Sequence, residues 1–178
     1  IEAVWKALKK AHELGMLVKS YKVVPACPRC ETALSSHEVA LGYEETEDPS
    51  VYVKFKVKGE ENKFILIWTT TPWTLPANEA VALHPELYYS WVRVGNELWL
   101  IASDLVDKVM QEVGIEGYEV VEEVKGSSLE GLEYHQPLED EVPAHKKHVG
   151  AHKVVLGEFV TTEEGTGCVH IAPAHGPE

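Results

Sequence analysis

Cysteine is scarce in this sequence: three residues in 178, two of them in Cys27-Pro28-Arg29-Cys30. An odd count at this spacing excludes the disulfide framework of a small secreted domain and fits reduced thiols or part of a metal site. Long apolar runs are missing too. The longest uncharged one, Phe64 to Trp68, has the length of a strand and falls far short of the roughly 18 residues that span a bilayer, so no membrane partner is expected. Positive charge is thin, with 16 Lys and Arg against 29 Asp and Glu and a formal net charge of −13. Phosphate neutralisation needs clustered cations, so a free-standing nucleic-acid-binding surface is excluded and any nucleic acid must be held mostly by something else. Asn, Gln and Met number only three, two and two, a bias found in heat-adapted proteins.

What is present is 44% hydrophobic residues, enough for one packed core or one core with a small appendage. The chain opens on Ile1, and its first ten residues carry three Lys and one Glu, unlike the continuous apolar core of a signal peptide. It therefore reads as an internal piece of a longer chain, cytoplasmic, and monomeric when excised.

Apolar residues Ile1, Val4, Trp5, Leu8 and Ala11 recur at steps of three and four, which predicts an amphipathic helix ending at Gly15. Tyr21 to Val24 and Glu38 to Gly42 read as short strands around the Cys pair, which would sit on a hairpin knuckle. The acidic run Glu44 to Asp48 marks a boundary, giving a connecting region 1–47 and a main domain 48–178. Beyond it strands dominate. Val51, Val53, Phe55 and Val57 alternate with polar residues, as in a half-buried strand. Further strands are predicted at Phe64 to Thr69, Tyr88 to Val94, Glu97 to Ile101, Tyr118 to Val124, Lys153 to Val160 and Cys168 to Ile171, with Gly95-Asn96 as a hairpin turn. One helix, Asp104 to Val113, is expected between a Ser103 cap and a Gly114 stop. The region from Gly126 to Gly150 has no clear period and reads as irregular connection. Because no strand–helix–strand alternation repeats, the expected fold is mainly β with peripheral α-helices, a β-barrel in the α+β class.

Two stretches stand out chemically. In Trp68-Thr69-Thr70-Thr71-Pro72-Trp73-Thr74-Leu75-Pro76-Ala77-Asn78, three hydroxyls end a strand and two prolines stiffen the loop that follows, which makes a plausible binding wall. In Glu163-Glu164-Gly165-Thr166-Gly167-Cys168-Val169-His170-Ile171-Ala172-Pro173-Ala174-His175-Gly176-Pro177-Glu178, the glycines allow close backbone approach. Alternation then sends Val169 and Ile171 one way, here toward the core, and Cys168 and His170 the other, toward a cavity or solvent.

Together the two stretches resemble the inserted editing domain of isoleucyl-tRNA synthetase, a class I aminoacyl-tRNA synthetase, in order and in spacing. The related leucine and valine enzymes carry an Arg in the threonine-rich strand where this chain has Thr71-Pro72-Trp73. The resemblance covers nearly the whole chain, with residues 1 to 47 similar to the helix and zinc-knuckle hairpin leading into the insertion.

The resemblance implies hydrolysis of valine wrongly esterified to the 3′ end of tRNA for isoleucine, with valyl-adenylate as a second candidate substrate. A synthetic pocket cannot firmly reject a side chain one methylene smaller, so a second site admits only the smaller product. By the same resemblance Thr69, Thr70 and Thr71 form the catalytic strand. Trp73, Thr74, Asn78, Gly165, Thr166 and Gly167 shape the substrate pocket. His170 sets its size limit by standing where the extra methyl of isoleucine would clash. A positioned water attacks, with no protein nucleophile. Editing itself uses no cofactor. The longer enzyme would hold ATP and Mg in its synthetic domain, and Cys27 and Cys30 would be half of a zinc site completed downstream. The partners implied are tRNA for isoleucine, the valine moiety and the rest of the synthetase chain. The family's Asp that grips the substrate ammonium falls one residue past Glu178, a role not given to Glu178 itself, so weak hydrolysis by this chain alone is expected.

Two other readings compete. A cysteine hydrolase would use Cys168 with His170 or His175, but residues two apart on a strand rarely form a nucleophile–base pair, and nothing in so acidic a chain lowers the thiol pKa. A zinc-ribbon RNA-binding module would use the Cys pair and the basic cluster His145-Lys146-Lys147-His148; His37 and Cys168, as substitutes for the two missing zinc ligands, lie at no recognised ligand spacing from Cys27 and Cys30. Short charge runs are more often solvated loops.

Overall fold

The computed structural model describes residues 1–176, leaving aside the side chain of Lys146; Pro177 and Glu178 lie outside the described residues. The chain divides into two units, Ile1–Glu45 and Thr46–Glu178.

In the first unit α1 (Glu2–Glu13) follows the predicted apolar period and ends before Gly15, whose φ is +71°. The knuckle is a hairpin of β1 (Ala26–Cys27) and β2 (Thr32–Ala33), closed by the Glu31 amide donating to the Cys27 carbonyl. Neither flanking strand predicted by hydropathy forms. Residues 21–24 are irregular, and residues 38–42 fall in helix α2 (Ser36–Ala40) and the turn after it. The reason is local: the Ser35 hydroxyl accepts from the Glu38 amide while the Glu38 carboxylate accepts from the Ser35 amide. That reciprocal cap starts a helix where alternation alone suggests a strand.

In the second unit, strands β3 (Val51–Lys56), β4 (Lys63–Thr69), β6 (Tyr88–Val94), β7 (Glu97–Ala102) and β8 (Tyr118–Lys125) form a five-stranded sheet in the order β3-β4-β7-β6-β8. Strands β5 (Ala80–Leu83), β9 (Lys153–Leu156) and β10 (Val169–Ile171) form a second sheet in the order β10-β5-β9. The β3/β4 and β6/β7 pairs are antiparallel hairpins, whereas β4/β7 and β5/β9 are parallel. Helix α3 (Val106–Glu112) buries Val106, Val109 and Met110, on the apolar side that the sequence marks. It has no side-chain cap. The Ser103 hydroxyl bonds instead to Ser90 of β6 at 2.8 Å, and Ser103 to Leu105 form a 3-10 turn. The core between these layers includes Phe55, Ile65, Ile67, Leu83, Tyr89, Leu100, Ile101 and Met110, all 0% exposed.

The predicted class, mainly β with peripheral helices, describes this unit, but the sheets do not close into a ring. At one seam, isolated bridges pair Val57 with Tyr134 and Glu133 with Lys153. At the other, the Ala102 amide donates to the Thr166 carbonyl at 2.9 Å and the Tyr89 hydroxyl donates to the Gly167 carbonyl at 2.9 Å. A continuous ladder cannot run through this second seam because Gly165 and Gly167 each hold φ at +71°, far from extended backbone.

Gly167 and Gly114 separate two costs of replacing glycine. Both have positive φ, +71° and +72°, but a Cβ on Gly167 would lie 2.4 Å from the Ala102 Cβ, whereas one on Gly114 would meet nothing within 4 Å. Gly114→Ala is expected to cost about 1–2 kcal/mol, the left-handed backbone penalty alone. Gly167→Ala should cost a further ~1–3 kcal/mol from overpacking. Urea unfolding of the two variants beside the parent chain measures the difference.

Candidate active site

Strand β4 is apolar from Phe64 to Trp68, and Thr69, 7% exposed, turns the chain from core into cavity. Its hydroxyl accepts from the Thr71 amide at 3.0 Å and lies 3.2 Å from the Thr71 hydroxyl. Pro72 then starts a 3-10 turn through Ala77, for which its fixed φ and missing N–H are suited. The turn brings Thr74 back under Thr71, and its hydroxyl donates to the Thr71 carbonyl at 2.8 Å.

Strand β10 arrives from the other sheet, held by β5 with His170 opposite Val81. The imidazole Nε2 of His170 lies 2.8 Å from the Thr74 hydroxyl. That hydroxyl has already given its single proton to a carbonyl, so toward His170 it accepts, and Nε2 carries the ring proton. The bare Nδ1 then accepts from the Asn78 side-chain amide, at 3.4 Å. Asn78, fully buried, has two amide protons: one goes to the Ala80 carbonyl (2.9 Å) and the other is shared between His170 Nδ1 and the Ile171 carbonyl (3.4 Å each), while its side-chain oxygen accepts from the Tyr134 hydroxyl at 2.7 Å. One line of hydrogen bonds thus runs from Tyr134 through Asn78, His170 and Thr74 to the Thr71 backbone. It assigns the histidine tautomer and holds its ring on two sides. Burial, and then the charge of His175, push the His170 pKa below the ordinary imidazole value, so the ring is neutral at pH 7.

Around these residues lies a cavity of about 440 Å³. The structure brings Thr69, Thr70, Thr71, Thr74, Gly165, Thr166, Gly167 and His170 together on its walls, although about a hundred residues separate the two stretches. Among the described residues no hydrogen bond engages the Thr70 hydroxyl. Two site residues predicted from sequence are placed elsewhere. Trp73 is 72% exposed and does not line the cavity, and Asn78 lies behind the wall, acting through His170. The alternation on β10 also differs from the expectation. Cys168 is the core residue, 3% exposed, and Val169 the more open one at 37%, because the Gly167 turn presses residue 168 against β7, where its thiol points at the Leu100 carbonyl.

Trp68, Phe159, Thr161 and Glu164 also line the cavity, together with the rest of the segment from Cys168 to Ala172 and with His175 and Gly176. Gly165 packs on the Trp68 ring, which a Cβ there would approach to 3.0 Å. Tyr134 was hidden from sequence analysis, since it sits in a segment without periodicity. Glu164 belongs to the glycine-containing stretch that the sequence singles out, whereas Thr161 lies just before it with no local signal.

The competing chemistries find little support. Burial pushes the Cys168 thiol pKa upward, His170 is committed to Thr74 and Asn78, and His175 is exposed with its Nδ1 on the Pro173 carbonyl. That is the reverse of an activated thiolate and base. In the proposed basic cluster, His145 is 6% exposed and His148 pairs with Glu79, so these histidines do not form an open cationic patch. At the hairpin knuckle the Cys30 amide, then that of Arg29, lowers the Cys27 thiol pKa, which favours metal ligation by the pair. Among the described residues, Cys27, Cys30 and His37 do not assemble into a three-ligand group, and no helix is long and apolar enough to cross a membrane.

The fold resembles that of GlLeuRS-CP1, with TM-score 0.56 and 16% identity over 68% of this chain and 54% of that one. It also resembles the Plasmodium knowlesi cytosolic leucyl-tRNA synthetase editing domain, with TM-score 0.55 and 11% identity over 72% and 59%. Identities this low speak to the fold alone. By sequence the chain is 54% identical to the isoleucine–tRNA ligase of Pyrococcus horikoshii and 49% identical to that of Methanocaldococcus jannaschii, in each case over its whole length. It spans only 17% and 18% of those relatives. The family described as tRNA synthetases class I (I, L, M and V) matches residues 1–129, and the chain belongs to that family.

Proposed function

We propose that the chain is the editing domain of an isoleucine–tRNA ligase and hydrolyses the ester between valine and tRNA for isoleucine, with valyl-adenylate as a second substrate. The observation that carries this reading is the hydrogen-bonded His170 ring standing in a hydroxyl-lined cavity. A size sieve needs a wall that does not yield. A ring free to rotate would make room for one more methyl, whereas one bonded at both nitrogens presents a fixed edge. Discrimination by a single methylene in a permissive hydrophobic pocket is about 10–200-fold, isoleucine against valine being the standard illustration of that limit. Exclusion from a rigid site multiplies it.

The chemistry required is modest. A water must reach the ester carbonyl, and the developing oxyanion needs donors. Thr70 and Thr71, at the end of β4, offer hydroxyls to orient the water, and the Gly165–Gly167 turn allows the adenosine end close to the backbone. No Lys or Arg stands among the lining residues, so the tRNA phosphates are bound by other parts of the synthetase. In that longer protein a separate domain joins isoleucine to tRNA with ATP and Mg²⁺, and Cys27 and Cys30 supply two ligands of a structural zinc.

The test is deacylation of valyl- and isoleucyl-tRNA for isoleucine, using a version extended past Glu178. Valine should be removed selectively, and His170→Ala should raise the rate on the isoleucyl ester at least ~10-fold relative to the valyl ester. Unchanged selectivity in that variant contradicts the steric role. Thr71→Ala should lower kcat/KM for the valyl ester about 10²-fold, as for a lost oxyanion or water-orienting donor.

Acid provides a separate check. Because His170 titrates below the ordinary value in the folded state, the unfolded chain binds more protons in that window. Stability is therefore complete above about pH 6.5 and falls as pH drops toward the depressed folded pKa. His152 shifts in the same direction, chiefly through burial, so the comparison must be differential. Between about pH 7 and 5 the parent should lose more stability than His170→Gln; parallel urea midpoints across that range contradict the assignment.

A further inference from the structure

A second cavity, about 250 Å³ in volume, shares no lining residue with the first and includes His145, His148 and His152 in its wall. His145 sits in the 3-10 turn Pro143–Lys147 and is 6% exposed. Its Nε2 lies 2.7 Å from the Pro76 carbonyl. A carbonyl only accepts, so Nε2 carries the proton and Nδ1 of the neutral ring is a bare lone pair. That Nδ1 is buried without a hydrogen-bond partner, the one such side-chain atom among the described residues. An unmade bond of this kind costs about 1–3 kcal/mol unless something fills it. Beside it, His148 Nδ1 is in contact with the Glu79 carboxylate, and ligand atoms of Glu79, His145 and His148 all lie within 4.8 Å of one another.

We propose that Glu79, His145 and His148 bind a divalent transition-metal ion of the zinc class, behind the Thr71–Asn78 loop and apart from the cavity that holds His170. Two imidazoles and a carboxylate are the donor set such ions prefer, and at metal–ligand distances of ~2.1 Å the three atoms converge with small side-chain adjustments. The carbonyl on Nε2 of His145 is the usual outer partner of a metal-bound histidine, since it fixes the tautomer that leaves Nδ1 free to coordinate. For His148 to coordinate through Nδ1, the proton on that nitrogen passes to Nε2 or to solvent when the ion enters, and protons compete with the ion for the imidazole and carboxylate ligands. The nearby Lys58 is paired with Glu133 at 3.3 Å and does not oppose the ion. Glu139, also on the cavity wall, or water fills the remaining position. The ion would brace the loop from behind: Pro76 is bonded to the His145 ring, and His152, whose ring lies 5.0 Å from that of His145, bonds the Asn78 carbonyl.

The proposal is independent of the editing reading. It is tested on the tag-free 178-residue chain carrying Cys27→Ser and Cys30→Ser, so that the thiols do not compete. Zn²⁺ titration by calorimetry should give one site per chain. Co²⁺ should give visible d–d bands without thiolate charge transfer. The thermal midpoint should rise with either ion. His148→Asn and Glu79→Gln, both on the open side and expected to fold, should each weaken binding at least ~10-fold, and His145→Ala should abolish it. His37→Asn should change nothing. Absence of stoichiometric binding overturns the proposal, and so does binding that survives His148→Asn and Glu79→Gln unchanged.

Discussion

His170 is held because each of its ring nitrogens faces a partner of fixed polarity, an acceptor at Nε2 and a donor at Nδ1. Thr74 has given its proton to the Thr71 backbone and can only accept; Asn78, its oxygen occupied by Tyr134, can only donate. Each group in the line is constrained by the one behind it, and the last is anchored in backbone. Polar groups placed this deep are costly when unpaired, so the line rigidifies the site as a unit. Its members come from three places in the chain, the 3-10 turn after β4 with the Asn78 that caps it, strand β10 and the segment at Tyr134. The site forms only when both sheets and their seams are in place.

The architecture serves that convergence. Strand β5 is short but central, receiving β10 on one edge and β9 on the other. It follows directly from Asn78, so the residue that orients His170 leads into the strand that carries His170 as a neighbour. The two seams do the rest. At one, Tyr134 crosses to reach Asn78; at the other, the Gly165–Gly167 turn is drawn against β7 by the Ala102 amide and the Tyr89 hydroxyl. The open seams of an unclosed barrel are where the cavity acquires its glycine wall.

Much of this was legible in the sequence, for reasons that differ by element. Alternation located β3, an uncharged apolar run located β4, Gly95-Asn96 located the β6/β7 turn, and the helical period located α1 and α3. The threonine-rich loop and the glycine–histidine stretch stood out by composition, and the fold places both on one cavity. Strand β5 was missed because Ala80 to Leu83 is four residues long, uniformly apolar and too short to show a period. The helix at Ser36 was read as a strand although Ser35 and Glu38 carry a capping box, a local signal that outweighs hydropathy over five residues. Trp73 was assigned to the pocket through its neighbours, but the turn imposed by Pro72 directs it to solvent. Tyr134 and the histidine cluster at 145–152 emerge only from tertiary pairing, which no local pattern encodes.

The central claim is that the hydrogen-bond line fixes His170 as a neutral ring protonated at Nε2. Imidazole ¹⁵N chemical shifts and long-range couplings on the ¹⁵N-histidine-labelled chain report this directly, with His170→Gln supplying the assignment. The account predicts one protonated nitrogen, Nε2, and one bare nitrogen, Nδ1, at neutral pH. A ring protonated at Nδ1, or exchanging between tautomers, would contradict it.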